Sequence, residues 1–152
     1  MEASVISHMA ISTRDMEKSL AFYRDILGLK VLFDGKTDSS EGGRLHNYQQ
    51  AHQSRRQVSL GFGAGREPTL TMTSHPGADI AGAPLKLNQL GITHFSFTVP
   101  NAGALLEEVL AKGVPLAGPR QAFKNSQGRV RRFYVYDPDG ILIQFDSGLN
   151  EG

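Results

Sequence analysis

The sequence predicts an α+β fold built from two paired βαβββ modules, and three observations predict it. A seven-residue motif occurs twice, each copy precedes a stretch with helical periodicity, and each such stretch precedes short alternating runs broken by turn residues. Ile6-Ser7-His8-Met9-Ala10-Ile11-Ser12 aligns with Ile92-Thr93-His94-Phe95-Ser96-Phe97-Thr98, so one histidine fills the same slot in both copies. Both copies alternate and read as strands with one buried face: Met9, Ile11, Phe95 and Phe97 point one way, His8, Ala10, His94 and Ser96 the other.

After the first strand, Asp15 is a candidate N-cap, Met16, Leu20, Tyr23 and Leu27 recur at helical spacing with Ile26 beside them, and Gly28 is the C′ stop. Pro100-Asn101 opens the corresponding helix of the second half, with Leu105, Leu106, Val109 and Leu110 as its stripe and Gly113 as its end. Three short runs follow the first helix, at residues 29–34, 57–62 and 69–73. The second half offers a weak strand at 114–116, a run at 129–136, the turn Asp137-Pro138-Asp139-Gly140 and a run at 141–146. Module one therefore spans about residues 4–75, a Gly-, Ala- and Pro-rich linker about 76–88, and module two about 89–148, together forming one domain. The polar segment 35–55 is an insertion peculiar to the first half, of a length that is usually functional or mobile.

Composition narrows the function. Sixteen Lys and Arg stand against fifteen Asp and Glu with no long block of either sign, which gives no footprint for nucleic acid or an anionic membrane surface. The expected partner is a small molecule or a second copy of the chain. With no cysteine, disulfides, thiolate metal sites and thiol catalysis are excluded, and His, carboxylates and amides remain as metal ligands. No leader pattern and no stretch of about 20 apolar residues is visible, so a cytoplasmic protein is expected.

Strand parity gathers the polar chemistry on one face of each module. His8, Ser59, Thr69, Thr71 and Thr73 share the face in the first, and His94, Ser96, Thr98, Arg132, Tyr134, Tyr136, Gln144 and Asp146 share it in the second. Leu60, Leu70, Met72, Phe133, Val135, Ile143 and Phe145 pack beneath. A polar sheet face can simply be solvated, and for a lone histidine that is the commoner case. Two histidines at matching places in a duplicated unit are not independent, however, and pairing of the copies about a pseudo-twofold axis would bring them to one metal.

The chain resembles the vicinal oxygen chelate superfamily, also called the glyoxalase/bleomycin resistance/dioxygenase superfamily. The resemblance rests on the paired modules, the early-strand histidine, the helix end Phe22-Tyr23-Arg24-Asp25-Ile26-Leu27-Gly28-Leu29, and the Asp137-Pro138-Asp139-Gly140 turn feeding the last strand. It implies a curved mixed β-sheet forming a cleft, a divalent ion (Mn, Fe, Co, Ni or Zn) and a homodimer. His8 and His94 match the family's histidine ligands. Its carboxylate slot on the last strand falls on Gln144, in Gly140-Ile141-Leu142-Ile143-Gln144-Phe145, and a variable slot falls on Thr71. A neutral Gln144 argues against ring-cleaving dioxygenase chemistry, whose iron site takes a carboxylate, and it cannot serve as a proton acceptor. An amide oxygen can still ligate a divalent ion.

The expected protein is thus a metal-dependent lyase or isomerase/epimerase acting on a small oxygenated substrate through a stabilised enolate. His8, His94 and Gln144 are the metal ligands, and Arg132 and Tyr134 are the catalytic candidates that orient the substrate. Thr71, Ser96, Tyr48, Tyr136 and Asp146 are the substrate-binding candidates, Asp146 being also a stand-in carboxylate or a solvated strand end. Glu41, His46, Tyr48 and His52 of the insertion could close over a ligand. The alternative is a metal-free protein that sequesters a small molecule, as in the bleomycin-resistance branch; the missing carboxylates favour it and the paired histidines do not.

Overall fold

The computed structural model describes residues 3, 5–38, 41–49, 54–63, 69–77 and 80–148, with backbone alone at 41, 42 and 45. The chain divides into two compact units, Met1–Ala81 and Gly82–Gly152.

In the first unit, Asp15 caps the helix α1 (Met16–Leu20) by accepting from the Glu17 and Lys18 amides at 3.1 and 3.2 Å. These amides hold its carboxyl below the usual range, the Lys18 amide contributing most. The helix then widens into a π-helical stretch, Ala21–Ile26. This departs from the regular spacing expected through Leu27. An i→i+5 turn re-phases the side chains, so the adjacent Phe22 and Tyr23 are both buried, edge to face at 4.8 Å. Gly28, at φ +76°, reverses the chain and lets the Leu29 amide reach the Tyr23 carbonyl at 3.0 Å.

The first sheet contains β1 (His8–Ser12), β2 (Lys30–Asp38), β3 (Ser54–Gly61) and β4 (Thr69–Ser74) in the order β1-β4-β3-β2. β1 runs parallel to β4, and the other pairs are antiparallel, with a bulge at Val31/Phe33 in β2. Strand runs on at both ends of segment 35–55, which sequence patterning assigns wholly to an insertion: β2 continues to Asp38 and β3 starts at Ser54. Their polar side chains hid the strands, because β2 and β3 pair here through Arg56↔Lys36, Arg55↔Thr37 and Ser54↔Asp38, without apolar alternation. A short 3₁₀ helix, Glu41–Asn47, lies between them.

In the second unit, β5 (His94–Thr98) leads to α2 (Ala102–Ala111), capped by Asn101 accepting from the Ala104 amide at 2.9 Å. Its sheet contains β6 (Arg132–Tyr136) and β7 (Leu142–Asp146) in the order β5-β7-β6, β5 parallel to β7. The expected strand at 114–116 is only a bridge, Leu116↔Val135, flanked by hydrogen bonds from Ala117 N to Tyr134 O and from Tyr136 N to Pro115 O. Pro115 and Pro119 offer no amide and Gly118 sits at φ +156°, so the pairing cannot be extended. It nevertheless occupies the edge that β2 takes in the first unit, on the far side of β6.

The turn before β7 is fixed by the buried Asp137, whose Oδ1 accepts from the Asp139 and Ile141 amides at 2.9 and 2.8 Å. Gly140, at φ +86°, closes it. The buried residues follow the expected parity: Val58, Leu60, Leu70 and Met72 with α1 in the first unit, Phe133, Val135, Ile143 and Phe145 with α2 in the second. Phe97 stacks on Phe145 at 5.7 Å.

Candidate functional site

Strand register places the polar side chains of each unit on one sheet face. In the first, His8 pairs with Thr69, Ala10 with Thr71, Ser12 with Thr73, and Thr71 with Ser59 on its other side. In the second, His94 pairs with Leu142, Ser96 with Gln144 and Thr98 with Asp146, while β6 sets Tyr134 against Gln144 and Arg132 against Asp146.

The two histidines share more than their slot. Ser7 Oγ lies 3.0 Å from His8 Nδ1, and Thr93 Oγ1 lies 3.0 Å from His94 Nδ1. In each unit the residue just before the histidine engages the same ring nitrogen with a hydroxyl, leaving Nε2 as the nitrogen for a ligand. Such a contact orients the ring, and where the hydroxyl accepts from Nδ1–H it leaves Nε2 unprotonated, as a partner behind a metal-ligating imidazole does.

Gln144 directs Nε2 toward Asp146 Oδ2 at 3.5 Å, so Oε1 is the atom left to act as a donor. Asp146 itself is heavily engaged. It receives Arg132 through Nε at 2.7 Å and Nη2 at 2.6 Å, and its Oδ1 accepts from the Gly148 amide at 2.7 Å. The Gly148 amide first, and Arg132 second, hold its carboxyl below the usual range; the same pairing raises the pKa of Arg132. Arg132 therefore meets a ligand as half of an ion pair, with much of its charge already answered. The Tyr134 ring stands beside His94, centroids 6.2 Å apart, and near Phe123 at 6.4 Å. Ser96, Arg132, Tyr134 and Asp146 line one open groove of about 800 Å³. Tyr136 instead looks into a smaller, more apolar one of about 410 Å³ with Leu85 and Leu142, and Lys86 Nζ lies 5.8 Å from its ring centre.

The first unit holds a cleft of about 760 Å³ that reaches from His8 and Thr71 to Tyr48. Of the expected closing segment, Tyr48 has a defined partner in it, its hydroxyl 3.0 Å from Nε2 of the buried His75. His46 is exposed; His52 and the side chain of Glu41 lie outside the described residues. The lining residues that sequence patterning missed include Arg44, Arg55, Gln57 and His75. Extending the parity of β3 two residues back from Gln57 would have found Arg55 on the same face.

Among the described residues no three His, Asp or Glu side chains gather as a metal cluster. A donor set drawn from these faces must therefore include an amide, a hydroxyl or water beside its imidazoles. By type, the imidazole of the first face, and the imidazole and amide oxygen of the second, suit a borderline divalent ion such as Mn, Fe, Co, Ni or Zn, and in that sense the residues fit one.

Two strand-first modules, each carrying a hydroxyl-backed histidine on the polar face of its sheet, define a protein of the paired βαβββ class. The chain belongs to the Glyoxalase/Bleomycin resistance protein/Dioxygenase superfamily, whose profile matches residues 5–145. Lactoylglutathione lyase of Schizosaccharomyces pombe is 23% identical over 164 aligned residues, covering 97% of this chain and 48% of that protein. The chain thus spans about half the length of this curated relative.

Solved structures share the fold. A glyoxalase family protein from Bacillus cereus superposes with a TM-score of 0.76 at 17% identity, over 95% of this chain and 94% of that one. The trypanothione-dependent glyoxalase I of Leishmania major gives 0.62 at 23% identity, over 95% and 86%. A glutamate-to-glutamine mutant of the fosfomycin resistance protein FosX from Listeria monocytogenes, solved with Mn(II) and 1S,2S-dihydroxypropylphosphonic acid, gives 0.62 at 17% identity, over 99% and 97%.

Proposed function

We propose that this protein is a metal-dependent lyase or isomerase/epimerase that acts on a small oxygenated substrate, with His8, His94 and Gln144 holding the ion. The observation that carries the reading is the repeated hydroxyl contact at Nδ1 of both histidines, which presents the same nitrogen in both modules. The names of the Schizosaccharomyces pombe and Leishmania major relatives support a lyase of the glyoxalase type. When bound, a divalent ion would polarise a substrate carbonyl and favour an enolate-like state.

The chain's own residues then divide the remaining work. Tyr134, beside His94, donates a hydrogen bond to a substrate oxygen. Arg132 stays protonated and is aimed by Asp146, so it orients an oxygen or carboxylate without adding a full uncompensated charge. Thr71 and Ser96 supply hydroxyls on either face, and Tyr48 closes the first-module cleft from the Glu41–Asn47 side. We include a homodimer in the proposal. The exposed Val31, Leu32 and Phe33 on the edge strand β2, with Leu87, Leu90 and Ile92, support it as apolar surface a second copy would cover. A cytoplasmic setting is included on the strength of the cysteine-free composition.

The test is metal analysis of untagged protein purified without chelator, joined to an assay for the lactoylglutathione lyase activity for which the yeast relative is named. Stoichiometric divalent metal with metal-dependent turnover supports the reading. A protein that neither carries nor takes up an ion refutes it and leaves metal-free sequestration, which one observation favours: the Asp146 carboxylate beside Gln144 is already tied to Arg132.

A further inference from the structure

We propose that the cleft of the first module is an oxyanion subsite built on Arg55, so that the ligand of this protein carries a carboxylate or a phosphonate-type group. The inference rests on this face taking the small-molecule ligand, as in the function proposed above, but not on any metal being held.

Arg55 and Arg56 are neighbours on β3 and so point to opposite faces of the sheet. Arg56 is fully answered by carboxylates: Nε and Nη2 bond both oxygens of Asp34 at 2.9 and 2.8 Å, and Nη1 bonds Glu17. Arg55 is half-buried on the cleft face, and its partners are neutral. Nε donates to Thr37 Oγ1 at 2.9 Å and Nη2 to Gln57 Oε1 at 3.0 Å. These two bonds hold the guanidinium in place without neutralising it. Nη1 and the second Nη2 hydrogen remain, which is the edge that binds an oxyanion in a two-point fork.

The described surroundings offer no counter-charge. Arg44, His8 and His75 line the cleft with Arg55, and no Asp or Glu among the described residues does. Neutral polar groups complete it. Thr73 is paired with Gln57 across the sheet, and the Tyr48 hydroxyl is tied to His75. A cleft of about 760 Å³ suits a small ligand. A partly desolvated cation with no carboxylate partner among the described residues gains from an incoming anion in a way that a paired one such as Arg132 does not.

The test is an amide chemical-shift titration of chelator-treated protein with three probes: methylphosphonate, propionate and neutral propanediol. The inference requires saturable shifts at residues 55–57 and 71–75 with at least one anion and none with the diol. The tighter of the two anions identifies the group, and equal binding keeps the shared oxyanion chemistry. Arg55→Gln should weaken binding by about tenfold or more, a typical loss for a charge-assisted pair. Arg55→Lys should recover only part of it, because a point charge lacks the fork. Arg56→Gln, which removes the same charge from the other face, should bind as wild type. Either Arg55 variant alone suffices if the other fails to fold, as its own amide spectrum will show. Unchanged binding in the folded Arg55 variants, a loss in Arg56→Gln as large as in Arg55→Gln, or no saturable shift with either anion overturns the subsite. Metal uptake by Arg55→Gln is read separately. Anion binding without metal uptake would sink the metal reading alone, and metal uptake without anion binding would sink the subsite alone.

Discussion

The two modules share a frame and treat charge in opposite ways. Register makes the correspondence residue by residue. His8 and Thr69 pair as His94 and Leu142 do, so Thr71 answers to Gln144 and Thr73 to Asp146. From there Ser59 answers to Tyr134 and Gln57 to Arg132. In the second module the last of these positions hold an ion pair on the cleft face, Arg132 with Asp146. In the first the same positions are neutral, Gln57 opposite Thr73, and Gln57 spends its oxygen on Arg55. The first module keeps its own ion pair on the other face, between Arg56 and Asp34. Duplication thus preserved which positions share the polar face of each sheet, while the charge at those positions diverged. Among the described residues, one half holds its cleft arginine on neutral partners and the other holds its own on a carboxylate.

The feature that did not diverge is the hydroxyl-backed histidine, and breaking it is expected to have the largest effect. His8→Ala and His94→Ala should each remove most metal uptake, since a site without a carboxylate holds a divalent ion poorly on one imidazole. Equilibrium dialysis with Zn or Mn measures it. The duplication argument requires comparable losses in the two variants; full stoichiometric uptake by either would show that one module alone supplies the site.

Gln144→Glu comes next, because it adds charge where the modules already differ. If Gln144 Oε1 is a donor, a carboxylate of nearly the same size should tighten metal binding by roughly tenfold or more. The same carboxylate would stand beside Asp146 Oδ2, now 3.5 Å from the Gln144 amide nitrogen. Without metal the variant should therefore melt lower than wild type, two like charges sharing one arginine. Metal titration and melting with and without ion read both effects. A variant that matches wild type in both measurements would mean that residue 144 takes no part in the site.

Smaller losses are expected for Ser7→Ala and Thr93→Ala. Each removes the hydroxyl behind Nδ1 and leaves the imidazole, so affinity should fall by about tenfold at most, near the low end of what partners behind a metal ligand contribute. Ser7→Thr and Thr93→Ser, which keep the hydroxyl, should restore it. If the alanine variants bind as tightly as wild type, the repeated contact is only a local capping bond.

Most of this frame was legible in the sequence, for a physical reason. Where a strand buries one face, period-two alternation fixes every side chain's direction, and Phe133, Val135, Ile143 and Phe145 gave the polarity of His94, Gln144 and Arg132. The same signal was silent where β2 and β3 extend as polar strands, so Arg55 went unread inside what looked like a loop. The π stretch at Ala21–Ile26 was invisible because it changes phase without changing composition. The strand expected at 114–116 shrank to a bridge since periodicity does not register the amides that Pro115 and Pro119 lack. Nor could alternation show that Arg132 would be held by Asp146: the two are adjacent only through the β6/β7 register.

The smallest expected effect separates the two neighbouring arginines of β3 by pH. Arg56 hydrogen-bonds hold the Asp34 carboxyl below its usual range, with the charge of Arg56 adding to them. A carboxylate whose folded pKa is depressed contributes stability that is fully present above its unfolded value of about 3.9 and is lost as pH falls through the folded one. Asp34→Asn should therefore lower stability at pH 7. The loss should stay below about 1 kcal/mol, because the pair is more than one-third exposed on the Asp34 side and solvent screens it. At acid pH, once wild-type Asp34 is itself protonated, the two proteins should melt alike. Arg55→Gln has no carboxylate to release and should show a difference from wild type that does not shrink with acid in this way. Melting curves for both variants at neutral pH and near pH 2 make the comparison. A deficit in Asp34→Asn that is undiminished at low pH would mean that the residue acts by packing or backbone geometry in β2, and that the contrast between an answered Arg56 and an unanswered Arg55 is not electrostatic.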